Sequence, residues 1–426
     1  VNRFDRKTGH FTHFRNEPGN PASLSNNEVF GLCKDDRGLL WIATHGGGLN
    51  CFDPRTGHFT AYTQQSPFPH SLNHNQVFAL IKDRQGLIWI GSEGGLNRLD
   101  LQAKPFQKYF YQNDYPFNPA SPEAVNAVLE DQAGILWLGT ANGLVRFDRK
   151  KGQAIRYQYD PFNPNSLSEN RIQSLAEGEP GELWVGTRGG GLNRLDLPTG
   201  RFTRYQNIPG DSTSLAFNQV RCILKDSERK IWVATELALQ FYNPTTGRFT
   251  RVGEEGSNSC CIKYAHTIVE DRDGVFWMTT WGSGLYSWDR RSGQINHYLY
   301  DPAHPEGISG NHGLELFLAR DRSLWMYSIG RGLDHLDPST GRFTLYTQKE
   351  GLPNEEVQSI LEDEHQRLWI SSKGGLSRLD PRTGAFQHFD LTDGLPANEF
   401  IHCSRFRSTR SGEFFFGSIN GLLAFH

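Results

Sequence analysis

One phrase recurs along this chain, and it limits what the chain can fold into. Residues 83–100 read DRQGLIWIGSEGGLNRLD, and residues 131–148 read DQAGILWLGTANGLVRFD. The same pattern is centred on Trp41, Trp89, Trp137, Trp184, Trp232, Trp277, Trp325 and Trp369. A ninth copy places Phe415 where the others have tryptophan. Successive centres lie 44 to 48 residues apart, which is the length of one four-stranded propeller blade. A chain of 426 residues is too long for one ordinary core, and an array of stacked repeats solves that problem by burying each unit on the next.

Within a copy the strands can be placed. Strand A is of the type VFALIKD at 77–83 and leads to a tight turn at Gly86. Strand B is IWIGS at 88–92, ended by Gly94 and Gly95. Strand C is LNRLD at 96–100, and a P-x-T-G turn follows this strand at 54–57, 244–247, 338–341 and 381–384. Strand D is of the type FTAY at 59–62. Each segment is short, rich in β-branched and aromatic residues and bounded by Gly, Pro, Asn or Asp, as strand signals should be. The tryptophans therefore read as core packed between blades, where truncation to alanine costs about 3–5 kcal/mol.

Counting strands predicts how the array closes. Strand D is marked by Phe11, Phe59, Phe106, Ile155, Phe202, Phe249, Ile295, Phe343 and Phe386. The first precedes any strand B, and the final copy at 398–426 supplies A, B and C without D. The expectation is an all-β, nine-repeat β-propeller, with residues 1–426 as a single domain. The strand at 9–15 closes the blade of 398–426, because sealing removes exposed sheet edges. The alternative is a seven-bladed propeller with a two-blade remnant of a neighbour. VNRFD at 1–5 already reads as a strand C that competes with 421–425, and hints at a further blade upstream. The chain opens at Val1 in mid-pattern without an initiator Met, so it reads as excised from something longer.

The connectors NPASLSNN at 20–27, HSLNHN at 70–75 and NPNSLSEN at 163–170, followed by the tryptophan phrase, resemble the two-component regulator propeller repeat. The closing copy, NEFIHCS at 398–404 through FGSINGLLAF at 416–425, resembles that family's last repeat. The copy at Trp232 departs from the pattern with ELAL at 236–239 in place of glycines, and the connector at 253–261 lacks the N-P-x-S-L form. The resemblance implies a sensory role in hybrid histidine kinases or diguanylate cyclases, a periplasmic or extracellular address and a carbohydrate-derived signal.

Charge narrows the partners. The chain has 44 Lys+Arg against 47 Asp+Glu, a balance that gives no reason to expect nucleic acid, and no apolar run approaches membrane-spanning length. The cysteines Cys33, Cys51, Cys222, Cys260, Cys261 and Cys403 show no metal-type spacing. Cys33, Cys222 and Cys403 read as small buried hydrophobes. Neither a cofactor nor a metal is expected, and no catalytic residue is assigned.

Function should sit where the repeat varies. D-to-A connectors and B-to-C turns share one end of the blades, and the monotonous D-x-x-G and P-x-T-G turns share the other. The variable end carries the candidate ligand contacts His45, Glu93, Arg188, Arg221, Glu236, His266, Trp281 and Lys373. Trp281 suits stacking on a sugar ring, while Arg188 and Arg221 could pair with an acidic sugar or, on the bland reading, form rim salt bridges. Asn27, Asn75 and Asn170 read as turn caps. A protein scaffold and a glycosidase or lyase are the rival functions, the latter needing a carboxylate pair for which only Glu93 and Glu236 could be named. An oligosaccharide ligand and a homodimer formed through the parent protein are the expected partners.

Overall fold

Alternating apolar residues and glycine-bounded turns produce short antiparallel strands throughout. The computed structural model describes every residue except 21, 37, 65–71, 84–86, 100–105, 110–122, 253–261 and 339. The sequence-level readings that involve Gly86, Cys260, Cys261 and the 253–261 connector lie outside the described residues. The chain divides into two compact units, Val1–Ala103 and Lys104–His426.

The second unit holds seven four-stranded sheets. Their first strands are Val125–Glu130, Ile172–Glu177, Val220–Lys225, Ala265–Glu270, Gly313–Leu318, Val357–Glu362 and Phe400–Arg407, and the sheets are numbered here as blades one to seven. Each first strand lies against the next around an axis, and that of blade seven lies against that of blade one. Apolar layers fill the spaces between blades. Val125, Val128, Leu136 and Leu138 of blade one pack on Phe415, Leu422 and Ala424 of blade seven. On its other face blade seven packs Phe414, Phe416 and Leu423 against Leu361, Trp369 and Leu376 of blade six.

The sealing strand corrects the sequence-based closure. The outer strand of blade seven is Gln107–Tyr109, with Gln107 opposite Ala424 and Tyr109 opposite Leu422. Residues 11–14 do not reach that blade: Phe11–His13 pairs with Asn2–Phe4 in a hairpin of its own. The reason lies in which strand is uncommitted. The blade at Val77–Lys82 has three strands, and the D segment that follows it in sequence joins blade seven instead. Phe106 anchors this exchange, its ring edge-on to Phe425 at 5.1 Å and to Phe389 at 5.4 Å. Seven sheets in one unit and two blade-like sheets in the other correspond to the seven-plus-two alternative. The reading of residues 1–5 as a C strand agrees with the Asn2–Phe4 pairing.

The tryptophans are core. Trp137, Trp184 and Trp325 are among the largest fully buried side chains, and Phe415 is equally buried in the ninth copy. Several of the repeat tryptophans give their indole N–H to an aspartate six residues upstream, whereas Trp325 donates to Ser323 at 3.1 Å. Trp137 donates to Asp131 at 2.9 Å, Trp232 to Asp226 at 2.8 Å and Trp277 to Asp271 at 3.2 Å. The aspartate of the D-x-x-G turn thus holds the turn and satisfies a buried donor at once. Blade two has Gly178 at that place, and the Trp184 N–H is left without a partner. Cys33, Cys222 and Cys403 are half-buried free thiols on first strands, and Cys403 sits at φ +56° where the pairing of its strand is interrupted.

Candidate functional site

The first strands of the second unit share a defect. In blade one Val125 and Ala127 pair with consecutive residues of the next strand, so Asn126 has no opposite number. The same register step leaves out Gln173, Arg221, His266, Leu314 and Gln358 in blades two to six. A bulge of this kind bends the strand and re-aims a side chain. Because the first strands surround the axis, the bulged residues form a mostly polar ring at the end where connectors and B–C turns lie. Some of them tie neighbouring blades together. Asn126 Nδ2 donates to the carbonyl of Ile172 at 3.2 Å, and His266 Nδ1 meets the carbonyl of Leu314 at 2.9 Å.

Blade seven exaggerates the defect and closes the axis. Pairing jumps from Phe400 to Arg405, and the intervening residues reach four other blades. Ser404 Oγ donates to the Val125 carbonyl at 2.6 Å, and Ser359 Oγ to the Ile401 carbonyl at 3.4 Å. Cys403 Sγ lies 3.5 Å from Thr267 Oγ1 and 3.4 Å from the Leu314 carbonyl. Arg405 binds the carbonyls of Ile360 and Leu316 and makes a 2.6 Å ion pair with Glu315, which has no exposed surface. Burial pushes the Glu315 carboxyl up while Arg405 pulls it down, and burial beside Glu315 raises the Cys403 thiol. A buried ion pair removed from one side is costly, so this cluster fixes the floor beneath the ring.

His402 belongs to that floor. Its ring stacks on Tyr327 with centroids 6.2 Å apart, and its Nδ1 is buried without a partner. Burial draws His402 down to about 4, with the Lys373 charge acting the same way. His266 is drawn down to about 4 by burial and then by the charges of Arg221 and His402. Both imidazoles are therefore neutral at pH 7.

The sequence-derived residues fall as follows. Arg221 and Glu236 form a 2.7 Å ion pair, the bland reading of that arginine. Lys373 pairs with Glu356 at 2.5 Å. Trp281 is 49% exposed, with the His312 ring edge-on at 5.7 Å and a bridge to that residue. Arg188 is exposed, and its backbone N–H bonds the Arg171 carbonyl at 2.9 Å. These five residues belong to the second unit, with His266. His45 and Glu93 belong to the first unit, beside Glu28 at 3.3 Å and His74 at 3.5 Å respectively. Asn27, Asn75 and Asn170 act as caps, each side chain accepting from a backbone N–H 11 residues earlier. Sequence reasoning assigned no role to Gln173, Gln358, Tyr327 or His402. The available signal was the polar residue after the first apolar residue of each A strand.

The opposite end also has hollows. A cavity of about 250 Å³ lies between blades four and five, lined by Asp271, Arg272, Trp277, Tyr298, Arg322 and Pro338 among others. A smaller one, about 170 Å³, occupies the equivalent place between blades one and two. Recurrence at repeat-related positions marks them as products of blade packing. Among the described residues no group of three or more His, Cys, Asp or Glu could hold a metal ion, and no helix is long and apolar enough to cross a membrane.

A ring of four-stranded sheets sealed by a strand from the other end of the unit defines a β-propeller. Five of the repeats match the family model described as two component regulator propeller, at residues 23–46, 71–94, 166–189, 214–236 and 351–374. The whole chain aligns with the extracellular domain of a putative one component system from B. thetaiotaomicron, at 20% identity and TM-score 0.61 over 54% of that chain. An extracellular domain of a putative hybrid two component system from the same organism aligns equally, at 20% identity and TM-score 0.59 over 55% of its length. This chain thus spans about half of each. Virginiamycin B lyase from Staphylococcus aureus shares the fold at 15% identity and TM-score 0.53, over 75% of this chain and 98% of its own. No curated protein sequence matches the chain.

Proposed function

We propose that this chain is the extracytoplasmic ligand-sensing part of a bacterial signal-transduction protein, and that it binds a carbohydrate-derived ligand at the ring end of the second unit. The observation that carries the reading is the variable polar ring mounted on an otherwise uniform two component regulator propeller. Supporting it, exposed Trp281 offers an aromatic face, and sugars stack on such faces while hydroxyls meet fixed polar groups. Interlocked blades make a stiff body, so a signal would pass by reorientation of whole propellers, driven by the ligand's difference in affinity for two arrangements. Chemistry on the ligand is not part of the proposal, because Glu93 and Glu236 lie in different units and Glu236 is already paired.

A thermal-shift screen of oligosaccharides tests the reading. Binding should weaken in Arg188→Ala and Trp281→Ala with folding intact, and should be unchanged in Arg55→Ala at the P-x-T-G end. Hydrogen-exchange protection confined to the P-x-T-G turns would overturn the assignment of the face. A scaffold role has one observation in its favour, the exposed Phe30, Leu32, Phe78, Ile81 and Leu96 of the first unit. A protein partner captured there by cross-linking, with no sugar bound anywhere, would replace the sensor reading.

A further inference from the structure

The ring of the second unit contains cations, yet their charge is already spent on neighbours. Arg221 is held by Glu236, Lys373 by Glu356 and Arg171 by Glu169 at 2.7 Å. The two ring imidazoles add no charge, since His266 has its Nδ1 on the Leu314 carbonyl and both rings are neutral for the reasons given above. An anion arriving here would have to compete with the carboxylate that each of these cations already holds. Neutral polar groups face no such competition.

Two atoms on the ring invite neutral partners. His402 Nδ1 and Gln173 Oε1 are both buried from water and both without a hydrogen-bond partner. An unmade buried hydrogen bond is destabilising, so a ligand hydroxyl that reached either atom would recover that deficit. A hydroxyl both donates and accepts, which matches a neutral imidazole in either tautomer and an amide in either orientation. His402 is held for this purpose by the Tyr327 ring beneath it and by the anchored stretch at 401–405. Arg188 is the exception among the cations: it stands on an exposed turn, and no ion pair is formed by its guanidinium among the described residues.

We propose that the axial ring of the second unit selects a neutral, hydroxyl-rich ligand over an anionic one, with His402 and Gln173 as hydrogen-bonding contacts. This rests on the sensor reading and refines it. The test is calorimetric titration of the intact chain with two sets of probes of matched length: neutral gluco-, xylo-, arabino- and manno-oligosaccharides, and oligogalacturonides with sulfated oligosaccharides. A neutral probe should bind with a Kd that changes less than about twofold when salt rises from about 50 to 500 mM, because no exposed charge pair forms. His402→Ala and Gln173→Ala should each weaken it about tenfold without lowering the melting temperature of the free protein. Two results would overturn the inference while leaving the sensor reading intact. One is tight binding of an acidic probe that falls with salt or with Arg188→Ala. The other is neutral binding that neither His402→Ala nor Gln173→Ala alters. If no probe binds, the sensor reading itself fails and this inference with it.

Discussion

The two units are written in the same repeat, yet equivalent positions meet opposite fates. Leu144, Leu192, Leu333 and Leu376 open C strands of the second unit and are completely covered; in the first unit Leu49 is 2% exposed at that place, but Leu96 in the next blade is 67% exposed. Ile81 is 66% exposed where Leu129 is buried, and Leu32 is exposed where Val128 is buried. The bulge position differs too. The second unit fills it with Asn, Gln, Arg, His and Leu, and the first with Phe30 and Phe78, whose rings meet edge-on at 5.8 Å. A blade motif therefore specifies a sheet with two apolar faces, and only neighbouring blades turn those faces into core. What the repeat encodes is an interface in need of a partner.

That contrast can be broken most directly at the C-strand leucine. Leu144→Ala should destabilise the second unit by about 2–5 kcal/mol, because a cavity opens in a packed interblade layer. Leu96→Ala should cost less than about 0.5 kcal/mol, as surface substitutions do. Denaturant unfolding of the two variants measures both. Equal losses would show that Leu96 is covered in solution and would end the comparison.

A second variant sharpens it through pH. The residue after that leucine binds the preceding connector. Asn193 accepts from the Ser168 N–H at 2.9 Å and donates to its hydroxyl at 2.8 Å, and Asn97 accepts from Asn73. Blade five has Asp334 instead, receiving the Ser309 N–H and hydroxyl while 1% exposed. Burial pushes its carboxyl up to about 7. The folded state then holds a proton that the unfolded state has released, so stability falls as pH rises from about 4 and is lowest above about 7. Asp334→Asn should accordingly raise the midpoint of unfolding by several degrees at pH 8 and much less at pH 5. The reverse exchange, Asn97→Asp in the open first unit, should do little at either pH. A pH-independent gain at blade five would mean that the carboxylate is solvated.

The smallest effect is expected at Trp281, whose ring is half exposed. Trp281→Ala should move the melting temperature by no more than about 1–2 °C, in contrast to Trp137→Ala, which removes a buried ring and its bond to Asp131. Comparable thermal losses would place Trp281 in an interface.

Strands, turns and the tryptophan core were legible because a period of 44 to 48 residues repeats the same local instructions. The number of blades in the ring was not. Every copy carries an equivalent D segment, and nothing local distinguishes Phe11 from Phe106 as the partner of the last strand. That choice belongs to closure of the whole ring and is made by packing of Phe106 on Phe425 and Phe389. The site was half legible. Arg221, His266 and Trp281 were among the candidates named at the variable end, but Arg221 and Lys373 turned out paired. The floor at 401–405 was hidden because a break in strand register leaves no mark in an apolar–polar pattern.

The sealing strand has a mechanical meaning. Gln107, where the strand enters, faces Ala424 near the far end of the unit, and Tyr109 faces Leu422. Entry and exit therefore leave the ladder at the same end, so tension applied across residues 104 and 426 peels its rungs singly rather than loading them together. A ring whose sheets resist heat collectively would open under pull at this one seam first, and force spectroscopy from those two points should record a weak early event before the main unfolding. If signals pass by movement of whole bodies, as proposed, this seam is where an overloaded ring would yield.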